Sequence, residues 1–224
     1  MSTVLITGAS RGIGAATAYR LQDRHDLVLV GRDRDALDSV ARSCRSARVV
    51  VADLTTAEGV DSAAGGLTSL DALVHCAGVA DLGRIEESTP DQWRRAFEVN
   101  VLSVVELTRT LLPALRAASG HVVVVNSGAG VHTRPGWGSY SASKFAARAF
   151  ADALREEESA LRVTSVFPGR VDTDMQRGIV AHEGGTYDPS RYLSPRSVAD
   201  AIGQALESGP DVEPAEIVLR PRAH

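Results

Sequence analysis

The sequence predicts a doubly wound α/β fold, a parallel sheet of about seven strands with helices on both faces, built by the whole chain as a single domain. Three observations predict it. Short runs rich in valine, isoleucine and leucine recur without polar alternation, as strands buried on both faces require. Longer segments with a helical repeat separate those runs, so strand and helix alternate along the chain. The first run also passes through a glycine-rich turn directly into a helix.

The apolar runs lie at residues 4–7, 27–30, 49–51, 72–75, 121–125, 163–167 and 217–219. Helical patterns fill residues 13–24, 34–43, 60–67, 90–118, 139–161 and 197–208. The long fourth helix has an explicit start: Thr89 as N-cap, Pro90 at the first position, Asp91 in the first turn and Gln92 completing a capping box. Pro113 is expected to kink or end it, because proline lacks the amide that a helix interior needs. Residues 173–194 show weak periodicity and contain Gly178, Gly184, Gly185 and Pro189, which reads as a loop-like lid over a functional site.

At 224 residues the chain can bury a substantial core. Hydrophobic content of 44% and charged content of 23% are ordinary for a globular protein. A net charge of -4 with scattered arginines argues against nucleic-acid binding. Cys44 and Cys76 support no disulfide framework and suit a reducing compartment. With neither a secretory leader nor an apolar run of membrane-spanning length, the expected location is the cytoplasm. No set of metal-binding spacings stands out.

The turn after the first strand reads Thr7-Gly8-Ala9-Ser10-Arg11-Gly12-Ile13-Gly14. Glycines there let the backbone turn tightly and approach a diphosphate, whose charge the free amides at a helix start stabilise. The position is that of the phosphate loop of a Rossmann domain. Beyond the second strand, Arg32 and Asp33 stand where such a domain meets the adenosine ribose: arginine suits the 2′-phosphate of NADP, a carboxylate the 2′-hydroxyl of NAD. Arg32 comes first and Arg11 lies in the loop, so NADP(H) is favoured and NAD(H) remains possible. Asp33 has a second reading as N-cap of the next helix. Asp53-Leu54 after the third strand either receives the adenine edge or, for Asp53, caps the following turn.

The only lysine of the chain, Lys144, follows Tyr140 by four residues, so both lie on one helix face. A phenol near its ordinary pKa of ~10 is a poor acid or base at neutral pH, and a nearby ammonium is expected to lower it. Such a tyrosine becomes a usable proton donor and acceptor.

Taken together these residues resemble the short-chain dehydrogenase/reductase family, and the likeness covers essentially the whole chain. Its glycine motif is met at Thr7, Gly8, Gly12 and Gly14, its adenine-side Asp at Asp53, and its mid-helix Asn at Asn100. Its catalytic Ser is met at Ser127, thirteen residues before Tyr140, and its Pro-Gly after the sixth strand at Pro168-Gly169. The family's Asn-Asn-Ala-Gly appears here as His75-Cys76-Ala77-Gly78, which keeps the Ala77-Gly78 backbone beside the cofactor but departs at the two side chains. Thr173 matches the residue that meets the nicotinamide carboxamide; the implied cofactor contacts also take in Ser10, Arg11, Ile13 and Val171.

The resemblance implies hydride transfer between NADP(H) and a carbonyl or secondary alcohol. Tyr140 would exchange the proton, Ser127 would fix the reacting oxygen, Lys144 would hold the nicotinamide ribose, and Asn100 would anchor a water leading from Lys144 to solvent. Within the family the chain looks most like NADP-dependent reductases of small hydroxy acids and alcohols. It also implies a homodimer or homotetramer. Val79 to Leu82, Gly128 to Trp137 and the lid, with Met175, Tyr187 and Tyr192, are expected around a small-molecule substrate. Arg134 and His132 read as exposed loop residues, with recognition of an anion as the alternative. The rival from another class is a regulatory protein that senses NADP(H) without turnover; an epimerase using the same Tyr and Lys fits less well.

Overall fold

The computed structural model describes residues 2–209 and 211–222. Seven strands, β1 (Ser2–Thr7), β2 (His25–Gly31), β3 (Ala47–Val51), β4 (Ala72–His75), β5 (His121–Val125), β6 (Arg162–Pro168) and β7 (Glu216–Leu219), form one sheet. Their order is β3-β2-β1-β4-β5-β6-β7 and every neighbouring pair is parallel. The helices are α1 (Gly12–Leu21), α2 (Arg34–Arg42), α3 (Ala57–Ala64), α4 (Pro90–Phe97), α5 (Ser103–Ala118), α6 (Gly138–Glu157), α7 (Asp174–His182) and α8 (Pro195–Leu206). All seven predicted strands are found.

Successive side chains of a strand point to opposite faces, so each strand feeds two cores. Leu5, Val28, Leu73, Val122 and Val163 pack against α3, α5 and α6 through residues such as Val60, Leu107 and Leu154. Val4, Ile6, Leu29, Val74 and Val123 pack on the other face against α1, α2 and α8, through Ala18, Leu37 and Ile202. Burial on both sides explains the continuous apolar runs. Leu73 is fully buried, and truncating such a leucine to alanine costs about 2–5 kcal/mol. Among the described residues no helix is long and apolar enough to cross a membrane.

β1 sits between β2 and β4, so the chain leaves β1 toward one face of the sheet and leaves β4 toward the other. Such a reversal opens a crevice at the carboxyl ends of the strands, the usual ligand position in this architecture.

Two expectations are corrected. The helix over 90–118 does not end at Pro113, which lies inside α5 with the helix running on to Ala118. Pro113 and Arg109 are both exposed, so the carbonyl that the ring deprives of its donor lies on the water-facing side. The interruption comes earlier: Glu98–Leu102 form a π-helical turn between α4 and α5. The second correction concerns 173–194, where Asp174–His182 is helical. Its start was written in the sequence, since the Thr173 side chain accepts a hydrogen bond from the Gln176 amide. The glycine at Gly178 and the short length obscured the repeat.

Candidate active site

The glycine turn is shaped by close approach. A β-carbon added at Gly14 would lie 2.2 Å from the Gly8 carbonyl oxygen, and one at Gly8 would lie 2.8 Å from the Ala77 nitrogen. Gly8 and Gly12 also adopt left-handed conformations, φ 62° and 57°. Thr7 Oγ1 accepts hydrogen bonds from the amides of Cys76 and Ala77, both at 3.1 Å, and so fastens the end of β4 to the end of β1. α2, α3, α4, α7 and α8 are each capped by a side chain, those of Asp33, Thr56, Thr89, Thr173 and Ser194. α1 and α6 have no side-chain cap, and of the two only α1 follows the glycine turn. A glycine-lined turn leading to free helix amides fits a diphosphate, and Ser10, Arg11 and Ile13 line the same cleft.

Arg32, Asp33, Asp53 and Leu54 border the other end of that cleft. Asp33 accepts from the Ala36 amide at 3.1 Å, which is its N-cap reading. Asp53 Oδ1 accepts from the Thr55 amide at 3.0 Å and from the Thr55 hydroxyl at 2.7 Å. Those Thr55 bonds, with a smaller effect from Arg32, hold the Asp53 carboxyl below its usual range. Leu54 packs against the core beneath. Arg32 is exposed and Arg11 lies 3.6 Å from Asp174.

Beyond β5 the chain presents Asn126 and Ser127, and α6 presents Tyr140 and Lys144 one turn apart on its buried face, only 5% and 6% exposed. Lys144 Nζ donates to the Val125 carbonyl at 3.1 Å. Ser127, Tyr140 and Lys144 line one cavity of about 400 Å³ together with Pro168, Gly169 and Thr173. Burial pushes the Tyr140 phenol up, and the neighbouring Ser127 hydroxyl pulls the other way. Burial therefore opposes the acidification expected from Lys144. The ammonium is itself buried, its pKa is pushed down to about 8, and one of its three N–H groups is directed at a backbone carbonyl.

Asn100 lies in the π-helical turn and is 1% exposed. Its Oδ1 accepts from the Val79 amide while its Nδ2 donates to the Val79 carbonyl and to Ser143 Oγ, all at 2.9 Å. Ser143 in turn donates to the Tyr140 carbonyl at 2.7 Å. A buried amide with every hydrogen satisfied is a rigid clamp. It ties the loop after β4 to the helix turn that carries Tyr140 and Lys144. The departures from the family pattern are buried or half-buried beside it. His75 pairs with Thr108 at 2.9 Å, and burial holds its pKa down to about 3. Burial drives the Cys76 thiol up to about 12.

One residue that sequence reasoning missed is Asn126. Its Nδ2 donates to the Lys144 carbonyl at 3.0 Å and its Oδ1 accepts from the Ser127 amide at 2.8 Å, so it sets the β5 loop against α6. The available signal was an amide directly after an unbroken apolar strand and directly before Ser127. In the segment expected to form a lid, Thr173 touches the glycine turn, where a β-carbon at Gly12 would lie 3.4 Å from Thr173 Cγ2. Val171 is buried and bridges to Leu193. Met175 lines the cavity, whereas the Tyr187 hydroxyl bonds Asp172 and its ring packs at a tilt 5.1 Å from Tyr192, holding this segment on itself.

Residues 2–184 match the family model described as short chain dehydrogenase. A glycine betaine reductase of Emericella nidulans is 37% identical over 234 residues, covering 97% of this chain; the chain spans only 18% of that relative's length. An uncharacterized oxidoreductase of Staphylococcus epidermidis is 31% identical over 226 residues, covering 97% of this chain and 96% of the relative. Among solved structures, an alcohol dehydrogenase from the archaeon Thermococcus sibiricus, complexed with 5-hydroxy-NADP, superposes with a TM-score of 0.91. It is 29% identical and the match covers 100% of this chain and 99% of that one.

Proposed function

This chain belongs to the short-chain dehydrogenase family, and on that premise we propose that it moves a hydride between NADP(H) and a carbonyl compound or secondary alcohol, with Tyr140 as the acid and base. Its family and its oxidoreductase relatives make it an enzyme. The observation that carries the finer reading is the convergence of Ser127, Tyr140 and Lys144 on one cavity that meets the glycine-lined cleft at Gly78 and Thr173.

When bound, the nicotinamide supplies or accepts the hydride. The Tyr140 phenol, kept protonated by its burial, donates to the oxygen of the carbonyl being reduced and takes the proton back in oxidation. Ser127 hydrogen-bonds the same oxygen and fixes its position. Lys144 would hold the ribose hydroxyls on the nicotinamide side. Asn100 holds the Tyr140 turn through Ser143, and the second lone pair of its Oδ1 is free for the water that would link Lys144 to solvent.

Gly8, Ser10, Gly12, Ile13 and Gly14 would cradle the diphosphate, Asp53 and Leu54 the adenine, and Ala77, Gly78, Pro168, Gly169, Val171 and Thr173 the nicotinamide half. Arg32 and Arg11 favour the 2′-phosphate of NADP, a reading supported by the engagement of Asp33 as a helix cap. The archaeal relative's 5-hydroxy-NADP complex agrees with that preference. Residues 173–194 act as the substrate lid of a single catalytic domain. Exposed Leu102 and Phe145, 46% and 44% accessible, lie in the π-helical turn and on α6 and suit a homodimer or homotetramer. Two unpaired cysteines fit the cytoplasm.

The test is NADPH oxidation across a panel of ketones, keto acids and quinones, with NADH in parallel. Turnover with NADPH as the better donor is expected. Tight NADPH binding with no turnover on any member would instead favour a sensor.

A further inference from the structure

The cavity beside Ser127 and Tyr140 has a one-sided lining. Its charged side chains among the described residues are all cationic, and neither aspartate nor glutamate reaches it. In a chain of net charge -4 with 28 acidic residues, this local excess points to what the cavity receives.

The arginines there differ in how they are engaged. Arg170 is paired with Glu183 at 2.6 Å. Arg134, Arg191 and Arg220 have no carboxylate within ion-pair distance among the described residues. Arg220, like Arg134 and Arg191, is exposed, but it is tethered at one nitrogen. Its Nη1 donates to the Phe167 carbonyl at 2.9 Å and to the Leu219 carbonyl at 3.0 Å. Its guanidinium lies over Gly128, where an added β-carbon would stand 3.9 Å from both Cζ and Nη1. Gly128 adjoins Ser127, so this cation sits one residue from the hydroxyl that holds the reacting oxygen. The Nε and Nη2 donors of Arg220 make no hydrogen bond among the described residues. A guanidinium tethered through one nitrogen, with two donor positions left over, can present them to a carboxylate.

We infer that the substrate is a short keto acid, or the corresponding hydroxy acid, whose carboxylate binds Arg220, with Arg134 and Arg191 attracting it at the cavity mouth. This rests on the hydride-transfer reading and narrows it. A cavity of about 400 Å³ leaves room for a small chain, and Trp137, Met175 and Ile179 supply apolar contact for its remainder. The net conversion is keto acid plus NADPH plus a proton to hydroxy acid plus NADP+. Two electrons enter as hydride at the carbonyl carbon, the proton enters at its oxygen from Tyr140, and the carboxylate is unchanged. A group that stays anionic throughout can be held by a permanent cation without opposing the chemistry.

The experiment compares NADPH-driven reduction of pyruvate, acetoacetate and levulinate, each against its methyl ester. The three acids step the carboxylate away from the carbonyl, so the best of them measures the spacing to Arg220. At least one acid should exceed its ester by about tenfold or more in kcat/KM, the scale set by a charge-assisted hydrogen bond. Its KM should rise with salt while that of the ester does not. R220Q should lower the acid-to-ester ratio by about tenfold or more, R220K should recover part of it, and R191Q should lower it by less. Equal use of acids and esters by the wild type, a salt-independent KM, or an unchanged ratio in R220Q overturns the inference alone. Reduction of neither member of any pair by a protein that oxidises NADPH with another ketone or a quinone overturns the inference alone, whereas no turnover across that wider panel either overturns the hydride-transfer reading with it. A hydroxy acid that raises the melting temperature of the NADPH-loaded wild type but not of R220Q supports the inference without turnover.

Discussion

The side-chain oxygen of Asn100 and the ammonium of Lys144 meet at the backbone of Gly78: a β-carbon added there would lie 3.2 Å from the oxygen and 3.7 Å from Nζ. Two residues 44 positions apart in sequence are thus spaced by a glycine that belongs to neither helix. Asn100 cannot retreat cheaply, because three hydrogen bonds hold its amide. Gly78→Ala is therefore expected to destabilise the fold by about 1–3 kcal/mol and to lower turnover further than stability alone accounts for. Urea unfolding read beside NADPH-linked activity checks both. A variant with unchanged stability and activity would show that the contact yields.

Tyr140 is expected to titrate above the ordinary phenol value of ~10 in the absence of cofactor, since burial is the largest influence on it. Ultraviolet difference titration of the wild type against Tyr140→Phe isolates this phenol. A midpoint below the ordinary value would restore direct acidification by Lys144. The same substitution should cut turnover by about a hundredfold or more and still bind NADPH. Near-normal activity would remove Tyr140 from the reaction.

Lys144 carries a pH signature in stability. Its native pKa is about 8, well below that of a free lysine. Below pH ~8 both native and unfolded chains hold the proton, and the native state bears the full cost of a buried charge. From pH ~8 to ~10.4 the unfolded chain keeps the proton and the native chain releases it, so stability rises. Relative to Lys144→Met, the wild type should gain on the order of 2 kcal/mol between pH 7 and pH 10. Parallel pH profiles from denaturant unfolding would contradict the shift.

Cofactor choice should follow Arg32. Its neighbour Asp33 is occupied by the Ala36 amide, which leaves the guanidinium as the nearer group for a 2′-phosphate. Arg32→Asp is expected to lower the NADPH-to-NADH ratio of kcat/KM by about tenfold or more. An unchanged ratio would transfer that role to Arg11.

Strand positions were readable because burial on both faces leaves an unmistakable apolar run, as in the five-residue strand His121–Val125. The glycine turn and the Tyr140–Lys144 pair were readable because their chemistry is local in sequence. What escaped was set by distant partners. Asn126 acquires its place only when β5 meets α6, and Arg220 reaches Gly128 only when β7 lies beside β6. The π-helical turn at Glu98–Leu102 leaves no composition mark, and Pro113 misled because its tolerance depends on which side of α5 faces water. The acidity of Tyr140 depends on more than spacing, which gives the neighbour but not the burial of both groups.

A diphosphate seated at the uncapped start of α1, as proposed above, would couple folding to ligand supply. Arg11 contributes no side-chain acceptor at that end, so the native chain forgoes the roughly 0.5–2 kcal/mol that a capping side chain provides. An anion seated there restores the missing partner from outside the polypeptide, and at a hundred times its dissociation constant it adds about 2.7 kcal/mol to the folded state. Resistance to heat and proteolysis would thereby become a gauge of how much dinucleotide surrounds the protein.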